Sequence, residues 1–431
     1  MDPAIITLCV LGVAAFLFIT ELIPLAVTAM AACTALGILG VLPSKAVYAG
    51  MSNSTVVLFG GMFVIGAAMF KTGLAEAIGV AVVKKAGTNE IPLMAAIMTV
   101  TIILSAVSSN TGTVACLMPV IIGICTVAKL PASKQLMPLA IAANVGGTIT
   151  MIGTPPNVIV TGALTTAGLP TFGFFEFAWI GIPLSLVITL YTLFIGRHMI
   201  AAKSAGAMDE EALKAAKEEA GASGDDAPKS KTKMWISGLI LIGVVLCMAL
   251  DLKTVPLHTA AVTGAILCVV TGCLKEKEAY AGIDWVTIFL FAGMLSVATA
   301  MEKTGAGKLI ADTVVSMMGT NPNPYVLTAV LFLISNILTQ FMSNTASAAL
   351  LAPIGISIAQ SIGADPKPVL MALGIAASCA FATPMATPPN TLVLGPGGFS
   401  FNDYAKVGVP MCVISLIVCL VVIPIVWPFG M

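Results

Sequence analysis

Ser108-Ser109-Asn110-Thr111-Gly112-Thr113 lies between two uncharged apolar runs, about 91–107 and 114–128. The chain then repeats the arrangement: Met342-Ser343-Asn344-Thr345-Ala346-Ser347 lies between apolar runs at about 325–341 and 348–360. Each copy is followed by a second polar break, Gly153-Thr154-Pro155-Pro156-Asn157 in the first half and Ala386-Thr387-Pro388-Pro389-Asn390 in the second. Away from water, an unpaired backbone or side-chain polar group costs several kcal/mol. Polar, proline-broken segments inside such runs therefore line a cavity or a site. The four breaks read as one binding site assembled from two repeats.

The chain is 58% apolar and 9% charged with zero formal net charge, and its mean hydropathy is +1.05. Soluble domains carry about 25% charged residues, so an integral membrane protein is expected, all-α and polytopic. Runs of about 20 apolar residues set its spanning helices. The first run, 4–20, lacks a basic leader and a small-residue cleavage site, and reads as a membrane helix rather than a signal peptide. The ten cysteines fall in apolar segments without CxxC or His pairing and read as small core residues. His198, beside Arg197, and His258, near a helix start, read as interfacial.

In the first half, spanning helices are expected at 4–20, 24–42 and 55–71, with an amphipathic interfacial piece at about 73–86. The hairpin-like pair around Asn110 follows, then a helix at about 136–165 broken at 153–157, and one at about 174–196. Residues 200–233, rich in acidic and basic side chains, read as a solvated, partly helical linker. The second half repeats the plan: 234–250, 257–273, 285–301, an interfacial stretch 305–319, the pair around Asn344, a broken helix 367–394, and 407–428.

The repeat is visible residue by residue. Tyr48-Ala49-Gly50 matches Tyr280-Ala281-Gly282, and Lys71-Thr72-Gly73 matches Lys303-Thr304-Gly305, both at a shift of 232. Ser109-Asn110-Thr111 matches Ser343-Asn344-Thr345 at 234, and the Thr-Pro-Pro-Asn copies match at 233. The halves are therefore 1–199 and 234–431, joined by the linker 200–233. With re-entrant hairpins each half has five complete crossings, and an odd number turns the second copy upside down, an inverted repeat. With the N- and C-termini outside and the linker cytoplasmic, fifteen of the twenty Lys and Arg fall inside, which fits the positive-inside bias of an inner-membrane protein.

Ser, Thr and Asn offer hydroxyls and amides that can ligate a hard cation through oxygen or donate to an anion. The second arm of each hairpin starts close to Asn110 or Asn344, so its positive dipole end faces the same tip. The proline pairs cannot donate backbone hydrogen bonds, which frees carbonyls beside Gly153 and Ala386. No Asp, Glu, His, Lys or Arg lies within 91–128, 136–170, 325–360 or 370–402. A proton-coupled carrier normally keeps an ionisable relay in its membrane core. An anion site without an Arg clamp needs bound cations as counter-charges, so Na⁺ coupling is expected over H⁺ coupling. Glu21, Glu176, Glu302 and Asp403 fall at helix ends and read as interfacial.

The paired Ser-Asn-Thr tips, the paired Thr-Pro-Pro-Asn breaks and the early Thr20-Glu21-Leu22-Ile23-Pro24-Leu25 resemble the divalent anion/sodium symporter family of dicarboxylate transporters. The likeness spans nearly the whole chain, which starts at the first repeat helix without the extra leading helix expected in that family. It implies a homodimeric elevator in membrane lipid, with scaffold helices 1–90 and 234–323 and a moving unit built on the hairpins and broken helices of 91–199 and 324–431. It implies two Na⁺ sites, one from Ser105, Ser109, Asn110 and the Gly153 carbonyl, the other from Thr339, Asn344 and the carbonyls of Met342 and Ala386. A small dianionic substrate would meet Ser109, Asn110, Thr111, Thr154, Ser343, Asn344, Thr345, Thr387 and Pro388. No nucleic acid is expected as a partner. The competing readings are a sodium-independent anion exchanger, a Na⁺/H⁺ antiporter of the same superfamily, and a channel. An enzyme is not expected, because no Ser/His/Asp, paired-Asp or metal constellation lies at membrane depth.

Overall fold

The computed structural model describes residues 2–87, 89–206, 210–219, 230–250, 254–318 and 323–429, and every regular element among them is helical. Ten helices of the first half recur in order in the second. Pro3–Thr20, Leu25–Ile38, Ser54–Lys71 and Leu74–Ala86 correspond to Lys231–Ala249, Leu257–Val270, Trp285–Thr304 and Ala306–Met318. The hairpin arms Glu90–Ser105 and Asn110–Ala128 correspond to Pro324–Thr339 and Asn344–Ser361. Ser133–Gly146 and Pro155–Thr166 correspond to Pro366–Ser378 and Pro388–Gly397, and Ala178–Tyr191 to Phe401–Val426. The short Ser44–Val47 and Glu276–Ala281 complete the series. In the linker, Glu210–Glu219 is helical, while 207–209 and 220–229 lie outside the described residues.

Seven of the described helices are long and apolar enough to cross a membrane, and this is a multi-pass membrane protein. Burial separates centre from rim. Ser54–Lys71 and Trp285–Thr304 are 72% and 67% buried, against 28% for Pro3–Thr20 and 22% for Phe401–Val426.

The halves exchange partners instead of folding as two lobes. Ser54–Lys71 packs on Leu257–Val270, and Trp285–Thr304 packs on Leu25–Ile38. Each contact is close because one helix presents glycine. A Cβ on Gly61 would sit 2.8 Å from the carbonyl carbon of Ala261, and one on Gly293 would sit 2.8 Å from that of Ala29. Both pairs obey the shift of 232. Neither backbone can yield cheaply, so Gly61→Ala and Gly293→Ala are each expected to cost about 1–3 kcal/mol through overpacking. A fall in the apparent Tm of the purified protein in detergent checks this; an unchanged Tm for both would contradict it.

The broken helices differ from expectation in where they break. The gap begins at Gly147 and Cys379, well before the prolines, which instead open the following helices Pro155–Thr166 and Pro388–Gly397. A proline at the first helical position loses nothing, because its missing N–H would be unpaired there anyway. The unwinding is held by side chains. Asn157 Nδ2 donates to the carbonyls of Gly147 (3.2 Å) and Thr150 (2.9 Å), and Asn390 Nδ2 to those of Ala380 (3.0 Å) and Thr383 (2.9 Å). Thr150 Oγ1 and Thr383 Oγ1 then donate to the hairpin carbonyls of Ala106 and Gln340, the latter at 2.6 Å.

Candidate functional site

Both hairpin turns and both unwound segments face one cavity of about 580 Å³. Its polar wall holds Ser109, Asn110, Thr111, Gly153 and Thr154 from the first half. From the second half come Met342, Ser343, Asn344, Thr345, Ala386, Thr387 and Pro388. An apolar part of the lining comes from the central helix Ser54–Lys71 through Phe59, Met62, Phe63 and Phe70. Every residue expected to meet substrate therefore lines the same space. Two expected cation ligands, Ser105 and Thr339, do not; both are fully buried one turn behind the tips.

Those two residues carry the repeat into the chemistry. Ser105 Oγ lies against the side-chain amide of Asn110 and donates to the Ala143 carbonyl at 2.7 Å. Thr339 Oγ1 lies 2.5 Å from Asn344 Oδ1 and donates to the Ala377 carbonyl at 2.7 Å. Each pairing obeys a shift of 234. Around Asn110 the crowding is extreme. One terminal atom of its amide lies 3.1 Å from the Gly153 carbonyl oxygen and 3.2 Å from that of Ala143, beside Ser105 Oγ. With nitrogen at that position the amide donates into the cluster and satisfies it. With oxygen there, four oxygens converge on one point and need a cation between them.

Each tip is also the start of a helix. Ser109 and Ser343 are the N-caps of Asn110–Ala128 and Asn344–Ser361, so the second arm begins at the asparagine itself. The first N–H groups of each arm have no partner within the helix and carry its positive end. Thr-Pro-Pro-Asn offers much less. Pro155, Pro156, Pro388 and Pro389 have no N–H, and the amides of Asn157 and Asn390 already bond back to the carbonyls of Thr154 and Thr387 at 3.2 and 3.0 Å. Beyond its freed carbonyls, each break can present an anion only with its threonine hydroxyl.

Some participants went unread in the sequence. Asn144 lines the cavity although it lies inside Ser133–Gly146, an arm buried along almost its whole length. A lone amide in an otherwise apolar run was the available signal. Glu21 and Asp284 line the cavity too, so the interfacial reading of Glu21 is incomplete. Glu176 takes a structural part: it pairs with Lys367 at 2.7 Å and accepts from Trp427 Nε1 at 2.5 Å, tying a loop to the start of Pro366–Ser378.

The citrate transporter family, CitMHS, matches residues 15–369 and 345–429 of this chain. The chain belongs to that family. It is 30% identical to an uncharacterized transporter of Haemophilus influenzae over 95% of this chain and 89% of the relative. It is 26% identical to the sodium-dependent dicarboxylate transporter SdcS of Staphylococcus saprophyticus, over 94% of this chain and 83% of that one. Among solved structures, the YdaH transporter of Alcanivorax borkumensis superposes with a TM-score of 0.65 at 14% identity, covering all of both chains. That likeness speaks for the fold alone. Family and relatives are transporters, not enzymes, and the all-α polytopic reading agrees with the structural neighbour.

Proposed function

We propose that this chain is a sodium-coupled symporter of a divalent anion, most simply a C4-dicarboxylate such as succinate, malate or fumarate. The observation that carries it is the Asn110 cluster: oxygens of Ser105, Ala143 and Gly153 converge on one amide, which would complete a cation site by turning its own oxygen in, directly beside helix N-termini suited to an anion. Na⁺ would sit among Ser105, Ser109, Asn110 and the carbonyls of Gly153 and Ala143. A second Na⁺ would sit among Thr339, Asn344 and the carbonyls of Met342 and Ala386. The carboxylates of the substrate would meet Ser109, Asn110, Thr111 and Thr154 on one side and Ser343, Asn344, Thr345, Thr387 and Pro388 on the other. Na⁺ is cargo here, and each ion also supplies positive charge that no Lys or Arg of this cavity offers.

The two halves act as inverted repeats in an inner membrane. Tips that enter from opposite faces yet share one cavity argue for re-entrant hairpins at a common depth. Charge counting puts Glu21 and Asp284 at cytoplasmic helix ends, so the cavity opens to the cytoplasm. A broken symmetry supports an elevator. Phe291 of Trp285–Thr304 packs on Gly162, whereas its repeat mate Phe59 lines the open cavity. The hairpins and broken helices would slide against these two central helices, which belong to a scaffold that dimerises. Uptake by proteoliposomes should be saturable, driven by an inward Na⁺ gradient, and selective among succinate, citrate, 2-oxoglutarate and sulfate. Equal uptake with K⁺ outside would favour a sodium-independent exchanger.

A further inference from the structure

Asn144 sits where the halves interlock. It is 1% exposed and lines the cavity. Its Nδ2 lies 3.1 Å from Thr387 Oγ1 and 3.0 Å from Asn390 Oδ1, both in the other repeat. Its own Oδ1 has no hydrogen-bond partner. A threonine hydroxyl has one proton to give and lone pairs to accept with. Thr387 accepts from Asn144 and makes no capping bond to its own helix. The proton on Thr387 is therefore left for the cavity that this residue lines.

Among the described residues the other break has no such device. The hairpin shift of 234 brings Asn144 onto Ser378, whose hydroxyl donates back to the Gly374 carbonyl at 2.9 Å. Thr154, the mate of Thr387, makes no capping bond to its own helix, and the residue at the Asn144 position of the second repeat, Ser378, spends its hydroxyl within its own helix. The two threonines are thus unequal: one hydroxyl is turned in advance, the other is free to rotate. With the prolines removing the nearby N–H groups, that orientation decides whether the second break offers substrate a donor or a lone pair.

We propose that Asn144 is a positioning residue for substrate: it fixes the Thr387 hydroxyl as a donor to one carboxylate, so that the second repeat holds the anion in a single orientation. The proposal rests on the dicarboxylate reading above. A hydrogen bond to a charged partner, lost through misorientation, lowers affinity by about tenfold. Asn144→Ala is expected to weaken succinate binding, measured by calorimetry in Na⁺ on the purified full chain, by about five- to tenfold. Asn144→Asp should do more, because its carboxylate draws the Thr387 proton out of the cavity and repels the dianion.

A double-mutant cycle distinguishes positioning from packing. In a Thr387→Val background, Asn144→Ala should add nothing further to the loss of affinity, whereas in a Thr154→Val background its effect should persist in full. Additive losses in both backgrounds, or an Asn144→Ala variant that melts lower yet binds succinate as the wild type does, would overturn the positioning role. Failure of the wild type to bind any of succinate, citrate, 2-oxoglutarate or sulfate would instead overturn the dicarboxylate reading, and this proposal with it.

Discussion

Asn110→Ala and Asn344→Ala are each expected to abolish uptake while leaving the protein folded. The Asn110 amide reaches Ser105 and the carbonyls of Ala143 and Gly153, which come from three separate segments, and it lines the cavity as well. Asn344 meets Thr339, whose hydroxyl also reaches the Ala377 carbonyl, and lines the cavity too. Truncation leaves buried polar groups unpaired at about 1–3 kcal/mol each, and more where a charge is involved. Two such losses together with a missing cation ligand make about a thousandfold fall in affinity, below what uptake can register. Folding should survive because the tips carry little of the apolar core, which lies in the interlocked helices and in the arms Ser133–Gly146 and Pro366–Ser378. Transport in proteoliposomes and elution from a sizing column check the two halves of the statement. Wild-type uptake by either variant would remove the asparagines from the site.

Much of this arrangement could be read in advance because it is written in local signals. Uncharged apolar runs mark helices in a membrane whatever they pack against, so the order of the helices and the two hairpins follow from hydropathy alone. The repeat shift then brings Asn110 and Asn344 together without any knowledge of packing. The interlocking of the halves was not legible. Gly61 and Gly293 look like any glycine in a membrane helix until the Ala261 and Ala29 backbones lie against them. The onset of the unwound segments was missed for a related reason. The prolines are the conspicuous breakers, yet the gap opens at Gly147, eight residues before Pro155, where Asn157 captures the carbonyls of the gap and the Thr150 hydroxyl ties it to the hairpin. Those captures join side chains to backbone carbonyls seven, ten and forty-four residues away and leave no periodic trace. Asn144 was hidden in the same way, since its value depends on Thr387 and Asn390 more than 240 residues away.

Substrate binding is expected to require Na⁺, and replacing Na⁺ with K⁺ should weaken it by about a hundredfold. Among the described residues no Lys or Arg lines the cavity, and a bare dianion at membrane depth without counter-charge is prohibitively costly. Two Na⁺ would cancel the two negative charges. Asn110 gives the coupling a mechanism at the level of one bond. Without a cation its nitrogen fills the oxygen cluster, donating to Gly153 and Ala143, and the amide oxygen is turned away from it. When Na⁺ occupies the cluster, the oxygen must turn in to ligate it, and the nitrogen becomes available as a donor to a carboxylate. On the proposed sodium coupling, Na⁺ is expected to bind first and prepare the site, and by linkage the substrate should raise sodium affinity by the same factor. Coupling of about 1–3 kcal/mol per ion is typical, so two ions give about a hundredfold or more. Succinate titrations by calorimetry in matched Na⁺ and K⁺ buffers measure one direction, and Na⁺ titrations by thermal shift with and without succinate measure the other. Asn110→Asp sharpens the comparison, because a carboxylate can ligate Na⁺ yet has no N–H to turn outward. That variant should keep its sodium-induced rise in Tm and lose the further rise on adding succinate. Equal succinate affinity in the two salts would mean that the counter-charge comes from elsewhere.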